Sequence, residues 1–453
     1  MRAEREVERL KIRLQRAEAE LESARRAAKR QSAPFSKGPP KSRPKPSGRK
    51  PGAAYGTAAR RLAPERFDEI CDAPLPERCP DCDGELEEDS VLEQSQTEIP
   101  EPRPIHRRID IHLGHCRCCG RKVRGRHPYQ TSDAVGASAA QLGPRATATI
   151  AELNKRLGLS FEKTQTVMAR MFGVQVSRSG VWHATWRASR AAEPTYQAIE
   201  KAIQRSPVVT VDETSWKVEA ILRWLWVFAT PRLVFYRIAP GRGFEQAAAV
   251  LGEQFSGVLV RDGWAPYLKF VDALHQACYA HLTRRCREMI ADADRGQARV
   301  PHAMLRIFLR ALHLRDARDL GQLTPSELAQ TLALLKVRVD KLLAGNVQHQ
   351  PNVRLLKHVT TQRDHLFTFL EHNNVDATNY RAEQGVRPIV VTRKVWGGNR
   401  TWTGAHTQEI LCTLIATATL QKLDVQTILI DLLSSPHPLI AAIELESERA
   451  PPR

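Results

Sequence analysis

Two aspartates follow apolar segments that have the character of buried strands. Asp212 comes after segment 208–211 (VVTV), and Asp262 comes after segment 257–261 (GVLVR). If the two strands lie side by side, their spacing of roughly 4.8 Å brings the carboxylates close enough to bridge one divalent ion. A single aspartate at a strand end is more simply a turn residue. The pair favours a Mg²⁺ site, because carboxylate oxygens suit that ion and a cation offsets the cost of buried charge.

A third acid is expected beyond a long helical stretch. After Asp262 a short strand carries segment 276–285 (QACYAHLTRR), and about ninety residues from 287 to 371 then have helical patterns. Glu383 follows near the start of a short helix that Pro388 should end. Phosphate-binding charge follows it at Arg387, Arg393 and Lys394. A solvated helix residue is the simpler interpretation of this glutamate, and other acids compete for its role: Glu213, Glu288, Glu371 and Glu409.

Two CxxC pairs have the spacing of zinc ligands. Cys79 and Cys82 form the first pair, and Cys116 and Cys119 form the second, each expected on a tight turn. Four thiolates can surround one Zn²⁺ ion tetrahedrally, and a hairpin can span the gap between the pairs. Such a site has no open position for chemistry. The module is therefore expected to position DNA or a partner protein.

The elements that must position the two aspartates form an α/β pattern. Segments 208–211, 224–230 and 233–238 predict a three-strand meander, and a helical segment at 244–255 leads into the apolar strand at 257–260. The long helical stretch then separates these strands from Glu383. We therefore predict an α/β core that is followed by a long helical stretch.

The N-terminal segments have a different character. Residues 1–31 carry apolar residues at alternating gaps of four and three, which predicts a coiled coil and a homo-oligomer, although a lone charged helix is the alternative. Residues 32–64 are rich in Pro, Gly, Ser and basic residues and contain no acid, which predicts a disordered linker. This linker is either a solvated spacer or an arm that grips DNA phosphates through Lys45, Arg49 and Lys50.

A helical region precedes the strands. Residues 137–205 have helical patterns, and segment 160–181 resembles a helix, a turn at Gly173 and a second helix capped by Ser177. This arrangement is typical of helix-turn-helix DNA readers. A plain packing scaffold is the alternative.

The composition indicates a polyanionic partner. The 453 residues include 68 Lys and Arg against 50 Asp and Glu, a net charge of +18. Such a balance favours DNA or an anionic membrane. Membrane is disfavoured, because no stretch approaches the roughly 18 consecutive apolar residues of a spanning helix. Nine cysteines, an odd number with metal-ligand spacing, favour a reducing compartment, so a cytoplasmic location is expected.

Four motifs carry a family resemblance. The segments VDETSW, RDGWAPY, CYAHLTRR and TNYRAEQGVRPIVVTRK resemble the motif series of the insertion sequence 66 family of bacterial transposases. The resemblance implies a ribonuclease H-like fold, in which a mixed sheet carries a helical insertion before the final acid, and a DDE triad at Asp212, Asp262 and Glu383. The family's Cys-x-x-His falls on Cys278 and His281, and His281 is expected either to orient a metal-bound water or a phosphate, or to be a structural histidine.

The resulting prediction is a nucleoid-associated bacterial transposase that uses Mg²⁺ or Mn²⁺ to cut and join DNA, with Zn²⁺ as a structural ion and accessory proteins as further partners. The alternatives are a non-catalytic zinc-containing DNA-binding regulator and a nuclease that cleaves without joining. The predicted domains are a coiled coil (1–31), a basic linker (32–64), a zinc-binding module (65–128), a helical domain (129–205), a catalytic domain (206–436, with the insertion at about 287–373) and a tail (437–453).

Overall fold

The computed structural model describes residues 63–130, 133, 141–294, 296–435 and 437–445. By its internal contacts the chain divides into two units, residues 1–103 and 104–453, which are described separately below. The predicted coiled coil and the linker residues Lys45, Arg49 and Lys50 lie outside the described residues.

The described part of the first unit contains turns but neither helix nor strand. The second unit begins with a small hairpin of β1 (Leu113–His115) and β2 (Lys122–Arg124), which pair antiparallel with Gly114 opposite Val123. The second CxxC pair lies in the turn of this hairpin.

A helical segment follows. Helix α1 (Pro144–Ala151) runs into a wider turn at Glu152–Arg156, and α2 (Phe161–Phe172) and α3 (Arg178–Arg205) come next. Helix α2 ends at Gly173, which adopts the left-handed conformation with φ +65° that glycine tolerates best. The Ser177 side chain accepts a hydrogen bond from Gly180 N at the start of α3. These positions are those of the predicted turn and cap, and the DNA-reading role of the helices stays a prediction.

The central sheet is mixed and has the strand order β5-β4-β3-β6-β7. Strands β3 (Val208–Val218), β4 (Ile221–Ala229) and β5 (Val234–Ala239) form an antiparallel meander. Strands β6 (Val258–Arg261) and β7 (Leu274–Ala277) run parallel to β3. Their β-branched and aromatic residues suit a pleated surface that is buried on both faces.

Helices surround the sheet and form the insertion. Helix α4 (Phe244–Leu251) connects β5 to β6. The later helices are α5 (Tyr279–Ala291), α6 (Arg299–Asp319), α7 (Pro325–Leu343), α8 (Gln350–Gln362), α9 (Thr368–Glu371), α10 (Tyr380–Trp396), α11 (Trp402–Leu420) and α12 (Val425–Ser434).

The two faces of β3 pack against different partners, because successive side chains along a strand point to opposite faces. Val209 and Val211 belong to a core that includes residues of α3 and α4. Trp216 and Val218 belong to a second core that includes residues of α10. Asp212 alternates with Val211, so it lies on the α10 face.

Three predicted element boundaries were wrong. Strand β3 does not end at Asp212 but continues to Val218, because it pairs with β4 over that whole length. What ends near Asp212 is the pairing with β6. Segment 276–285 is not one strand, since β7 stops at Ala277 and α5 begins at Tyr279.

The third error concerns Pro388, which lies inside α10 and does not end it. Proline removes one donor, so the carbonyl of Gln384 loses its helical partner. Pro388 and Gln384 are both exposed, and water can satisfy that carbonyl. The next residues, Ile389 and Val390, are buried against the sheet, and their packing continues the helix to Gly397.

Candidate active site

Strand register places the two predicted aspartates side by side. Strands β3 and β6 pair in parallel with Thr210 opposite Val260. Two residues farther along each chain come Asp212, within β3, and Asp262, directly after β6. Both are partly buried, with 22% of the Asp262 side chain exposed. Parallel pairing is thus the feature that brings residues fifty positions apart to one edge of the sheet.

The surroundings of Asp212 are acidic. Burial raises the pKa of Asp212 well above its usual value near 3.8, and the negative charges of Glu213, Asp262 and Glu383 raise it further. A hydrogen bond from Glu213 N to Asp212 Oδ1, 3.0 Å long, acts in the opposite direction. Since burial and the neighbouring carboxylates both disfavour the ionised form of Asp212, a bound cation would stabilise that form.

Helix α10 carries Glu383 on the same face of the sheet. Gly385 lies directly on the strands, because a Cβ there would come within 2.9 Å of Val227 Cγ1. Tyr236 donates a hydrogen bond to the Gly385 carbonyl at 2.7 Å. Val227 is the residue of β4 that pairs with Asp212. This close approach therefore brings Glu383, two residues before Gly385, toward Asp212.

The predicted Cys-x-x-His pair has two different roles in the structure. Cys278 Sγ donates to Asn379 Oδ1 at 3.0 Å and accepts from Asn379 N at 3.4 Å. Burial raises the pKa of Cys278 to about 11, so the thiol stays protonated and anchors the residue that begins α10. His281 Nδ1 lies 3.9 Å from Glu383 Oε1. His281 thus reaches the third acid itself.

Cys278, His281 and Glu383 each offer an atom that could bind a metal ion, and these three atoms lie within 4.8 Å of one another. No other group of three or more His, Cys, Asp or Glu residues in the described part of the chain does so. Asp212, Asp262 and Glu383 do not form such a set.

The helical insertion contacts the chain beside the second aspartate. His358 of α8 lies against Gly263, where a Cβ would come within 2.5 Å of His358 Cε1. Arg261 is fully buried, and its Nη1 donates to the carbonyl of Asp262 at 2.9 Å and to Gln362 Oε1 at 2.8 Å. The insertion therefore helps to fix the backbone on both sides of Asp262.

Comparison with known proteins now bears on this geometry. A family model described as Transposase IS66 family matches residues 139–407, which is more than half of the chain. The chain belongs to the IS66 family of transposases. The match includes Asp212, Asp262 and Glu383, and it confirms the family resemblance seen in the motifs. Among proteins with curated descriptions, none matches this sequence.

Membership of the IS66 family indicates a protein that processes DNA during transposition. No helix in the described part of the chain combines the length and apolar character needed to cross a bilayer.

The rival acids of this IS66 transposase have other surroundings. Glu213 accepts hydrogen bonds from Arg242 Nε and Tyr267 Oη. Glu371 pairs with Lys336 at 2.5 Å. Glu409 accepts from Ile238 N and contacts His406, while Glu288 is exposed on α5. These contacts support Glu383 over its competitors.

The basic residues predicted to hold DNA differ in exposure. Arg387 and Lys394 are exposed on α10. Arg393 Nη1 instead donates to Thr214 Oγ1 at 3.0 Å and to the carbonyl and hydroxyl of Ser215, so it ties the end of α10 to β3.

The sequence analysis did not single out Arg242 or Asn379. Arg242 follows a buried strand and stands between two glycines, which is a local signal of a cation held in a tight loop at a sheet edge. Asn379 precedes a helix, where its residue type is common as a cap, and this signal does not reveal its contact with Cys278.

The first CxxC pair forms a tight turn in the first unit. Cys79 N donates to the Gly84 carbonyl at 3.0 Å, and Asp83 N donates to the Cys79 carbonyl at 2.9 Å. Asp83 has a positive φ of 60°. Hydrogen bonds from the backbone of Asp81 and Cys82 lower the pKa of the Cys79 thiol, which favours the thiolate form that binds metals.

The second pair has the same local geometry in the second unit. Cys116 N donates to the Arg121 carbonyl at 2.8 Å, and Gly120 N donates to the Cys116 carbonyl at 2.9 Å. Gly120 has a φ of 69° at the position equivalent to Asp83. Backbone hydrogen bonds from Cys119 and Cys118 lower the pKa of Cys116. The two CxxC pairs therefore lie on turns with the same pattern of backbone hydrogen bonds.

Proposed function

We propose that this IS66 transposase cleaves DNA at the ends of a bacterial insertion element and joins the freed 3′ ends to target DNA. The observation that carries the proposal is the register of β3 and β6, which sets Asp212 beside Asp262 while α10 brings Glu383 to the same face. The mixed sheet with its helical insertion supports the ribonuclease H-like fold expected from the motifs.

The donor set fits hard divalent cations. Asp212, Asp262 and Glu383 offer carboxylate oxygens, which suit Mg²⁺ or Mn²⁺. The pKa of Asp212 is raised first by burial and then by the neighbouring carboxylates, and a cation would offset both effects. When bound there, two ions supply activation of the attacking oxygen and stabilisation of the leaving oxygen in an in-line displacement at phosphorus.

The neighbouring residues orient this chemistry. Cys278 and Asn379 fix the first turn of α10 and so set the position of Glu383. His281, which contacts Glu383, is placed to orient a water or a phosphate oxygen. Arg387 and Lys394 supply positive charge on the exposed side of α10 for the DNA backbone.

The test is cleavage of a duplex that carries the DNA flanking the gene, with Mg²⁺ present. Wild-type protein should nick at the element end and then form a joined product with a target duplex, whereas Asp262→Asn should bind the duplex without nicking it. Glu371→Gln, which alters an exposed ion pair on the insertion, is the matched control. Nicking without joining would identify a nuclease, and binding without nicking by the wild type would identify a regulator.

The zinc assignment is a separate part of the proposal. Each CxxC pair, Cys79 with Cys82 and Cys116 with Cys119, is proposed to supply ligands for structural Zn²⁺, and the local turn geometry of each pair and the lowered thiol pKa values of Cys79 and Cys116 support this. Purified protein should contain zinc, and Cys116→Ser should lower that content. Cys286→Ser, which changes a buried cysteine of α5, is the control and should leave the zinc content unchanged.

A further inference from the structure

Arg242 lies in the loop between β5 and α4, and its guanidinium is held between two indole rings. Its Cζ is 4.1 Å from the ring centroid of Trp264 and 4.9 Å from that of Trp224. Trp264 Nε1 donates to the Arg242 carbonyl at 3.0 Å, which fixes one ring to the loop backbone. Stacking on aromatic faces suits the planar guanidinium.

The polar contacts of Arg242 use only part of its donor capacity. Arg242 Nε donates to Glu213 Oε1 at 2.5 Å, and Tyr267 Oη donates to the other oxygen of Glu213. Arg242 Nη2 lies 4.0 Å from Asp262 Oδ2, beyond hydrogen-bond distance. Within the described residues neither Nη atom makes a hydrogen bond. The Arg242 side chain is 29% exposed, so these donors are accessible beside Asp262.

The same loop edge is tied to Asp262 from the other side. Trp264 N donates to Asp262 Oδ1 at 2.9 Å. Trp264 therefore contacts both the second aspartate and the arginine stacked on it. The orientation of the guanidinium relative to the Asp262 carboxylate is set by Trp264, Trp224 and Glu213 before any ligand arrives.

We propose that Arg242 is a phosphate-binding residue, whose Nη atoms donate to a non-bridging oxygen of the DNA phosphodiester that is cleaved at Asp262. This inference rests on the proposed function, because that function supplies the phosphodiester. A planar guanidinium with two free donors matches phosphate geometry, and donors that are already oriented stabilise charge that develops on the oxygen. Trp224 and Trp264 hold the plane of the donors, and Glu213 holds the Nε side.

If Arg242 served only as the counterion of Glu213, it would need fewer contacts than the structure gives it. Arg242 Nε alone makes the hydrogen bond to Glu213, and Tyr267 already satisfies the second oxygen of that carboxylate. The counterion role does not explain the two stacked rings or the unused Nη donors. Binding of a phosphate oxygen beside Asp262 would explain both.

The chain provides a matched control for the stacking chemistry. Arg223 of β4 also stacks on a tryptophan, with its Cζ 5.6 Å from the ring centroid of Trp402. Arg223 pairs with Trp216, on the face of the sheet opposite to Trp224. Arg223→Gln therefore removes a similar arginine–indole contact and leaves the contacts of Arg242 with Trp224, Trp264 and Glu213 unchanged.

The experiment measures binding in Ca²⁺, so that it does not depend on cleavage. Full-length protein is titrated with element-end duplexes that carry, at the scissile linkage, either a phosphodiester or one of the two diastereomers of a neutral methylphosphonate, each tested separately. For the diastereomer that lacks the oxygen facing Arg242, wild type should bind roughly tenfold more weakly than to phosphodiester. Arg242→Gln should lose that difference, while Arg223→Gln should keep it. Retention of that penalty by Arg242→Gln would overturn the proposal.

The fold of each variant is checked by thermal melting. If Arg242→Gln is not folded, Arg242→Lys replaces it, because lysine keeps the charge beside Glu213 but lacks the planar pair of donors. The diastereomer penalty should then fall below that of wild type, and an unchanged penalty would overturn the proposal. A wild type that shows the penalty but does not nick the duplex in Mg²⁺ would contradict the transposase function while leaving the phosphate contact established.

Discussion

Asp212 and Glu213 are neighbours on β3, yet the protein treats their carboxylates in opposite ways. Glu213 points to one face of the sheet, where Arg242 and Tyr267 both donate to it. Asp212 points to the other face, where the charges that act on it are those of Asp262, Glu383 and Glu213 itself. Burial raises the pKa of both, but Tyr267 and Arg242 counteract the rise only for Glu213.

The contrast teaches how the proposed metal site differs from an ordinary buried acid. A buried carboxylate that serves structure receives its donors from the protein, as Glu213 does. For Asp212, the side chains that act on the pKa are acidic and raise it, so in the proposed metal site the compensation would come from a bound cation. Two faces of one strand thus separate a structural acid from a catalytic candidate, although the residues are adjacent in sequence.

The largest effect is expected when each acid is neutralised in turn. Asp212→Asn should reduce Mg²⁺-dependent nicking of the element end by roughly 10³-fold, because the ion loses a ligand where charge must be stabilised. Glu213→Gln should reduce nicking only roughly tenfold, through weaker positioning of Arg242. Single-turnover rates at saturating protein measure both. Equal losses in the two variants would remove the distinction between the faces.

The sequence shows part of this arrangement and hides the rest. Apolar, β-branched segments before Asp212 and Asp262 indicate buried strands, and the side-by-side pairing of such strands follows from general sheet geometry. The continuation of β3 beyond Asp212 was missed, because residues 213–218 (ETSWKV) look like a solvated edge until β4 pairs with them.

Contacts between distant segments could not be predicted. The place of Glu383 came from motif resemblance, since the insertion separates it from Asp262 and no local pattern spans that distance. The path of α10 through Pro388 depends on burial of Ile389 and Val390 against the sheet. The contacts that hold Arg242 come from Trp224, Trp264 and Glu213, which belong to three separate segments of the sequence.

A second substitution disturbs the Asp212 face alone. Gly385→Ala places a Cβ within 2.9 Å of Val227 Cγ1, so either Val227 or α10 must shift, and we expect α10 to move away from β4 and carry Glu383 with it. A displacement near 1 Å should lower the nicking rate by roughly 10²-fold, and the overpacking should cost about 1–3 kcal/mol of stability.

Val391→Ala is the control for this change, because Val391 lies on the same helix and is 57% exposed. Nicking rates and urea unfolding of both variants should differ clearly. Full activity in Gly385→Ala would show that the position of α10 does not limit the reaction.

Metal binding should stabilise the protein through one face only. At free Mg²⁺ of 100 times the dissociation constant, linkage gives about 2.7 kcal/mol of added stability to a protein that binds the ion only when folded. Wild type and Glu213→Gln should both gain it, whereas Asp212→Asn should gain much less. Melting temperatures with and without Mg²⁺ measure the effect. If the stabilisation by Mg²⁺ depended on Glu213 and not on Asp212, the ion would lie on the Glu213 face of β3, which would contradict the proposed site.

The pH dependence without metal is the smallest of these effects and follows from the same contrast. The folded-state pKa of Asp212 is raised well above its usual value near 3.8, so the ionised form is disfavoured in the folded protein. Its contribution to stability is therefore fully present below about pH 3.8 and is lost as pH rises through the folded pKa. In EDTA, wild type should therefore lose stability relative to Asp212→Asn between about pH 3.8 and the folded-state pKa of Asp212, and it should be the less stable of the two at higher pH.

Urea unfolding followed by tryptophan fluorescence measures the difference in stability between the two proteins. Mg²⁺ should abolish this stability difference, because a bound cation would stabilise the ionised form of Asp212 as Arg242 and Tyr267 do for Glu213.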